Sequence, residues 1–186
     1  MPAPPGGGTG HTIRDLVTAS GHNLAMTLPY SLRPAKSDDL VALATVYLSS
    51  AAHHVSLDAD RYRVPEPAPV VGHFRQALAD ARDGAILVAE LNGTVVGFVQ
   101  IRRIPDPSAQ SMVRPVTKAS IDLAVLDDHR GQGMGTALLA AAADWGERAG
   151  FTALMLGTLT ANVGAVSLYE RQGYRTFGAL MERPLG

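Results

Sequence analysis

Between a strand-like run, Ile121-Asp122-Leu123-Ala124-Val125, and a long helical pattern stands the turn Asp128-His129-Arg130-Gly131-Gln132-Gly133-Met134-Gly135-Thr136. Glycine on alternate positions lets the backbone bend tightly and approach a ligand without Cβ atoms in the way. The helix that follows begins with N–H groups that have no intrahelical partner, and its dipole is positive at that end. The chain is therefore obliged to carry an anion-binding bend where a strand meets a helix, as in an α/β domain. Phosphate or pyrophosphate is the natural occupant. Arg130 adds a charge that is not neutralised at physiological pH.

Spacing separates the meanings such a turn can have. A P-loop needs Gly, four residues, then Gly-Lys-Ser/Thr, and no Lys follows these glycines. A dinucleotide fingerprint read from Gly131 puts Thr136 where the last Gly or Ala belongs, and one read from Gly133 puts Leu138 there. What fits is Arg/Gln-x-x-Gly-x-Gly/Ala, met by Arg130, Gly133 and Gly135. This resembles the acyl-CoA-binding signature of the GNAT superfamily of N-acetyltransferases. Downstream, Asn162-Val163-Gly164-Ala165-Val166-Ser167-Leu168-Tyr169-Glu170-Arg171-Gln172-Gly173-Tyr174 resembles that family's Asn-x-x-Ala-x-x-Leu-Tyr-Glu-x-x-Gly-Phe/Tyr helix. The two motifs stand in the family's order, and the resemblance covers residues 30–186.

The resemblance implies an α/β fold: a GNAT-like mixed, mostly antiparallel central sheet, splayed between the fourth and fifth strands and flanked by helices. It implies acetyl-CoA as cosubstrate, with no metal. Main-chain groups of Leu123 and Val125 would meet the pantetheine arm. The backbone from Gly131 through Gln132, Gly133, Met134 and Gly135 to Thr136 would meet the pyrophosphate, together with Arg130, and Asn162 joins the cofactor-binding set while capping its helix. Direct transfer of the acetyl group to a primary amine in a ternary complex is the implied activity, and family analogy points to a homodimer.

Acetyl transfer needs a neutral amine, stabilisation of a developing oxyanion and a proton for the leaving thiolate. Tyr169 matches the family's tyrosine and is expected to be the acid, since a phenol with a reference pKa of about 10 is protonated at neutral pH. Ala165, Leu168 and Tyr169 also share helical spacing, so a purely structural aromatic is the alternative. Asp122, near where some family members carry a catalytic Glu, is the candidate base, on the opposite strand face from Leu123. A salt-bridged structural acid is the alternative there, and the missing Glu leaves the route of amine deprotonation open. Asp127 stands where Pro is common in the family, and Met134 where Ile or Leu is usual.

Composition narrows the field further. A chain of 186 residues, 46% hydrophobic and 18% charged, suits one globular domain. A formal net charge of −1 gives no push toward nucleic acid or an anionic membrane, and neither is expected as a partner. There is no cysteine, which excludes disulfides and a cysteinyl intermediate and fits a reducing cytosol. No unbroken apolar run has the length of a membrane span, and the N-terminus lacks a signal peptide's basic start and apolar core. A cytoplasmic location is expected.

Residues 1–28, opening on Pro and Gly, are expected to be a largely disordered extension, with the domain at 29–186. A short strand at Tyr30–Arg33 precedes a helix capped by Ser37, with Leu40, Leu43, Ala44 and Tyr47 on its apolar face. Residues 49–74, with His53, His54 and His73, read as irregular; by resemblance this stretch walls the acceptor pocket. A helix through Phe74 and Leu78 follows, then two strands joined by Asn92-Gly93, the dipeptide that favours a two-residue hairpin. Gln100 and Arg102 alternate onto one face as acceptor-site candidates, and Glu90 is a weaker catalytic candidate. Arg103, Arg114 and Lys118 make a basic loop that could meet a phosphate. The helix after the glycine turn shows Met134, Leu138, Ala141 and Trp145 on one stripe, Phe151–Leu156 reads as a buried strand, and Thr176–Met181 as a final one.

Two other functions compete. One is a non-catalytic CoA-binding sensor or interaction module, which would keep the pocket without turnover. The other is a nicotinamide-dependent oxidoreductase, which the glycine spacing already disfavours.

Overall fold

Asn92 and Gly93 both take positive φ, 50° and 79°, the tight reversal that a two-residue hairpin requires. The hairpin joins β2 (Gly84–Leu91) to β3 (Thr94–Arg103), with Leu91 opposite Thr94 and a bulge between Ala89 and Glu90. These strands form the centre of the sheet in a computed structural model that describes residues 29–80 and 84–183. The N-terminal extension, residues 1–28, lies outside the described residues. β1 (Ser31–Pro34) pairs antiparallel with β2, and β4 (Lys118–Val125) antiparallel with β3. β5 (Ala153–Met155) pairs parallel with β4, so the order is β1-β2-β3-β4-β5.

Helices cover both faces of this sheet, which is why Val95 through Ile101 of β3 are buried without a break. On one face lie α1 (Leu40–Leu57) and α2 (Pro67–Ala79). There Leu43, Val46, Val70 and Phe74 pack against Val88, Phe98 and Ala124. The Phe74 ring meets Phe98 edge-on at 5.2 Å and Tyr47 at 6.0 Å. On the other face lies α3 (Met134–Arg148), whose Met134, Leu138, Leu139 and Ala142 pack against Val99, Ile101 and Ile121. The last helix, α4 (Val163–Arg171), sits beside the open end of β4.

Several local expectations need correction. Residues 49–57 are not irregular but the second half of α1, whose apolar and small residues carry the helix on. Ser37 is not a cap; it begins a 3₁₀ turn, Ser37–Asp39, and the capping acceptor is Asp39, whose Oδ2 takes the Lys36 N–H at 2.8 Å. The proline-rich stretch starts α2 with Pro67 in its first turn, where a missing N–H costs nothing. Ala141 and Trp145 are only partly buried, because α3 turns Leu139, Ala142 and Gly146 to the core and Trp145 stacks on Phe151 at 5.9 Å. The strand after it is three residues long and half-buried, since it lies at the sheet edge. Thr176–Met181 forms no strand: Phe177 and Leu180 stand exposed, and the segment is tied down by the Glu182–Arg61 ion pair.

The stretch Ser37–Leu57 is, among the described residues, the one helix long and apolar enough to cross a membrane, with a mean hydropathy of 1.3 over its most apolar window. Leu43, Ala44 and Val46 of that helix are buried against the sheet.

Candidate functional site

Past β4 the chain makes a 3₁₀ turn, Asp127–His129, and then the glycine bend. Gly131 and Gly133 have φ of 73° and 82°, a region that penalises any residue with a Cβ. Gly133 occupies the cap position of α3, and no side chain caps it. Ala137 N to Gly133 O is the first backbone bond of the helix, at 3.0 Å. Among the described residues, the N–H groups from Gly131 to Thr136 therefore point at no protein acceptor. Arg130 is held across the bend, its Nε donating to Val125 O at 3.2 Å and its Nη2 2.7 Å from Asp127 Oδ1. The Gln132 side chain instead turns back, donating to Asp128 O at 3.2 Å.

The sheet opens beside this bend. β4 and β5 pair only through Lys118–Ala153, Ala119–Leu154 and Ser120–Met155, leaving one edge of β4 from Ile121 to Val125 without a partner strand. Leu126 N donates to Val96 O at 2.9 Å, and the two-residue alternation then turns the N–H and C=O of Leu123 and Val125 away from β3, into the gap. Leu156, Gly157 and Thr158 form the opposite wall. The gap continues into a cavity of about 1260 Å³ that reaches the glycine bend, α4 and the C-terminal half of α1. Of the residues singled out from sequence as site candidates, Asp122, Leu123, Val125, Arg130, Gly131, Gly133, Met134, Gly135, Thr136, Asn162 and Tyr169 all border it, and Gln132 does not.

Asn162 Oδ1 accepts the Ala165 N–H at 3.3 Å, an N-cap bond that starts α4 and aims its first turn at the cavity. Tyr169 follows two turns later, packed edge-on to Tyr174 at 5.9 Å. Burial raises the Tyr169 phenol above its ordinary range, and the charge of Asp122 raises it further, so the hydroxyl keeps its proton. Asp122 shares the α1/α2 side of the sheet with Ala124, opposite Leu123, as alternation requires. Its Oδ2 is engaged by Arg102 Nη2 at 2.7 Å, both side chains about half exposed.

Other sequence candidates fall elsewhere. Gln100 is buried and meets His73 Nε2 at 3.1 Å; with Arg102 it borders a separate cavity of about 640 Å³ rather than the large one. Glu90 is bound to Arg33, at 2.5 Å from Nη2, in a structural cluster with Asp39. Hydrogen bonding to Arg33 is the chief reason the Asp39 carboxyl lies below its ordinary range, with burial opposing it. None of Arg103, Arg114 and Lys118 reaches the large cavity, and Arg103 lies over the Phe151 ring at 5.1 Å. Among the described residues no three of His, Cys, Asp and Glu gather into a metal-binding cluster.

The stretch within 49–74 that was expected to wall the pocket does border the large cavity, and it does so as a helix rather than as irregular chain. α1 presents Tyr47, Ser50, Ala51 and His54 to the cavity, at i, i+3, i+4 and i+7. That spacing stands in the sequence, but the polar residues from Asp58 to Arg61 and the prolines beyond made the whole stretch read as irregular. His54 Nδ1 lies 2.8 Å from Ser50 O, and its ring packs on Tyr62 at 5.2 Å. Arg61 and Arg63 border the same end, Arg61 paired with Asp58 at 3.3 Å and with Glu182.

Comparison with known proteins agrees with this geometry. Residues 51–174 match the acetyltransferase (GNAT) family. The chain is 33% identical over 144 residues to the uncharacterized N-acetyltransferase YhfO of Bacillus subtilis, covering 77% of this chain and 89% of that protein. It is 30% identical over 91 residues to rat N-acetyltransferase family 8 member 3, covering 49% of this chain, and spans only 38% of that relative's length. A tetramutant of the BH1408 protein from Bacillus halodurans has the same fold, with a TM-score of 0.75 at 23% identity over 83% of this chain and 99% of that one. So does the aminoglycoside N-acetyltransferase AAC(6')-Iy in complex with CoA, with a TM-score of 0.62 at 17% identity, covering 84% and 94% of the two chains.

Proposed function

Because this chain belongs to the GNAT family of acetyltransferases, we propose that it moves an acetyl group from acetyl-CoA directly to a primary amine, with both substrates bound at once. The observation that carries this is the row of unpaired N–H groups from Gly131 to Thr136 standing beside an opened strand edge. A diphosphate fits the bend, where Arg130 adds its charge and the α3 dipole favours an anion. The outward N–H and C=O of Leu123 and the N–H of Val125, whose C=O already accepts from Arg130, suit an amide-bearing arm that extends the sheet, as peptides do. Acetyl-CoA supplies an activated thioester.

Tyr169 is the proposed acid for the leaving thiolate. Asp122, by its charge, helps to keep that phenol protonated and holds Arg102 in place. Asn162 fixes the start of α4 and so the height of Tyr169 in the cleft. A homodimer and a cytoplasmic location belong to the same proposal. The test is release of thiol from acetyl-CoA in the presence of a panel of amines, with Tyr169→Phe expected to slow release by about 10² or more while CoA still binds.

A second reading, a CoA-binding module without turnover, draws on the pairing of Asp122 with Arg102, which leaves the presumptive base already engaged. Tight CoA binding with no thiol release from any amine would favour it.

A further inference from the structure

Resting on acyl transfer as the activity, we infer that His54 rather than Asp122 takes the proton from the acceptor amine. α1 lies over the sheet face that carries Asp122 and Ala124, and the Tyr47–Ser50–Ala51–His54 stripe lines the cavity bordered from the other side by Tyr169. His54 Nδ1 is 2.8 Å from the Ser50 carbonyl oxygen. A carbonyl can only accept, so in the neutral ring Nδ1 carries the hydrogen and Nε2 is left with the lone pair. The ring is half-buried and is held between Tyr62, at 5.2 Å, and His53, at 6.2 Å. It is thus oriented with one nitrogen anchored to the helix and the other basic.

The other candidates are placed less well. Asp122 Oδ2 is committed to Arg102. His53 has no comparable anchor on either ring nitrogen among the described residues. His129 borders the cavity from the turn before the glycine bend, at the anion-binding end.

The exchange balances as follows. His54 Nε2 takes one proton from the acceptor ammonium, and the nitrogen lone pair so freed forms the new C–N bond to the acetyl carbon. The C–S bond breaks with its electron pair going to sulfur, and Tyr169 gives the sulfur a proton. A second proton leaves the nitrogen as it becomes an amide and restores the phenol. His54 then releases its proton to water, so one amide, one thiol and one proton are produced.

The experiment uses the full chain with acetyl-CoA and, as acceptors, a dipeptide with a free amino terminus, a lysine-containing peptide, spermidine and an aminoglycoside. With the best of these acceptors, His54→Ala is expected to lower kcat by about 10²-fold or more, the scale of a lost general base. Calorimetric affinity for CoA stays as in the wild type, which reports that the variant is folded. Added imidazole restores part of the rate to His54→Ala, which a merely structural role would not permit. His54→Gln, which keeps the bulk but not the base, stays slow. Independently of turnover, the imidazole nitrogen NMR spectrum of the ligand-free protein shows neutral His54 as the Nδ1–H tautomer. A wild-type rate in His54→Ala, a deficit that imidazole leaves untouched, or an Nε2–H tautomer overturns the inference while acyl transfer stands. A wild type that releases no thiol with every acceptor overturns the transfer reading and the inference together.

Discussion

Asp122 Oδ2 and Arg102 Nη2 lie 2.7 Å apart across the β3–β4 ladder, and the two residues border different cavities. Asp122 borders the large cleft and Arg102 the smaller one, so the ion pair links the two. Because the charge of Asp122 is the lesser of two causes that raise the Tyr169 phenol, removing it has a bounded effect. Asp122→Asn is expected to bring the Tyr169 pKa down while leaving it above the ordinary phenol range, because burial persists. Spectroscopic titration against Tyr169→Phe checks this; a phenol that returns to its ordinary value would contradict it.

Three phenols are raised by burial, those of Tyr30, Tyr169 and Tyr174. In the unfolded chain each loses its proton near the reference value of about 10, before the folded protein does. The unfolded state then binds fewer protons, so stability is fully present below that pH and is lost as pH rises through the raised folded values. Denaturant midpoints are expected to fall above about pH 10. The fall should be shallower in the Tyr169→Phe, Tyr174→Phe double variant, since those two phenols no longer ionise.

At the acid end the sign reverses. Asp39 is held below the ordinary carboxylate range, mainly by the hydrogen bond from Arg33. Its stabilisation is present above the unfolded value of about 4 and disappears as pH falls through the lower folded one. Asp39→Ala is expected to cost about 2 kcal/mol at neutral pH, the scale of a hydrogen bond to a charged group, and less in acid. Urea melts at the two pH values measure the difference, and CoA affinity is the control because the cluster lies away from the large cleft.

Gly133, with φ of 82°, opens α3 and faces the cavity. A Cβ there costs about 1–2 kcal/mol in backbone strain alone. Gly133→Ala is expected to weaken CoA binding more than it lowers thermal stability, since the helix can fray its first turn but the N–H cradle then points elsewhere. Gly72→Ala, within α2 and with nothing within 4 Å of its Cβ, is the neutral comparison.

The glycine bend and its row of N–H groups were legible from residue order because they are built from main chain. Gly131, Gly133 and Gly135 encode a bend locally, and Asn162 and Gly173 start and stop a helix locally, so short-range rules reach them. The hairpin at Asn92-Gly93 was legible for the same reason. The C-terminal segment was not: Thr176–Met181 has strand-like residues, yet the ladder it would need is absent among the described residues, and pairing depends on a distant partner.

What residue order alone determined, then, was a glycine bend between β4 and α3, the hairpin at the centre of the sheet, and membership of a transferase family. Tertiary structure decided which side chains meet across the cleft. Arg102 captures Asp122, Arg33 captures Glu90, and α1 runs on far enough to deliver His54. Backbone bends follow from steric rules between neighbouring residues, whereas a side chain's partner is set by which strands and helices pack together, which no local pattern encodes.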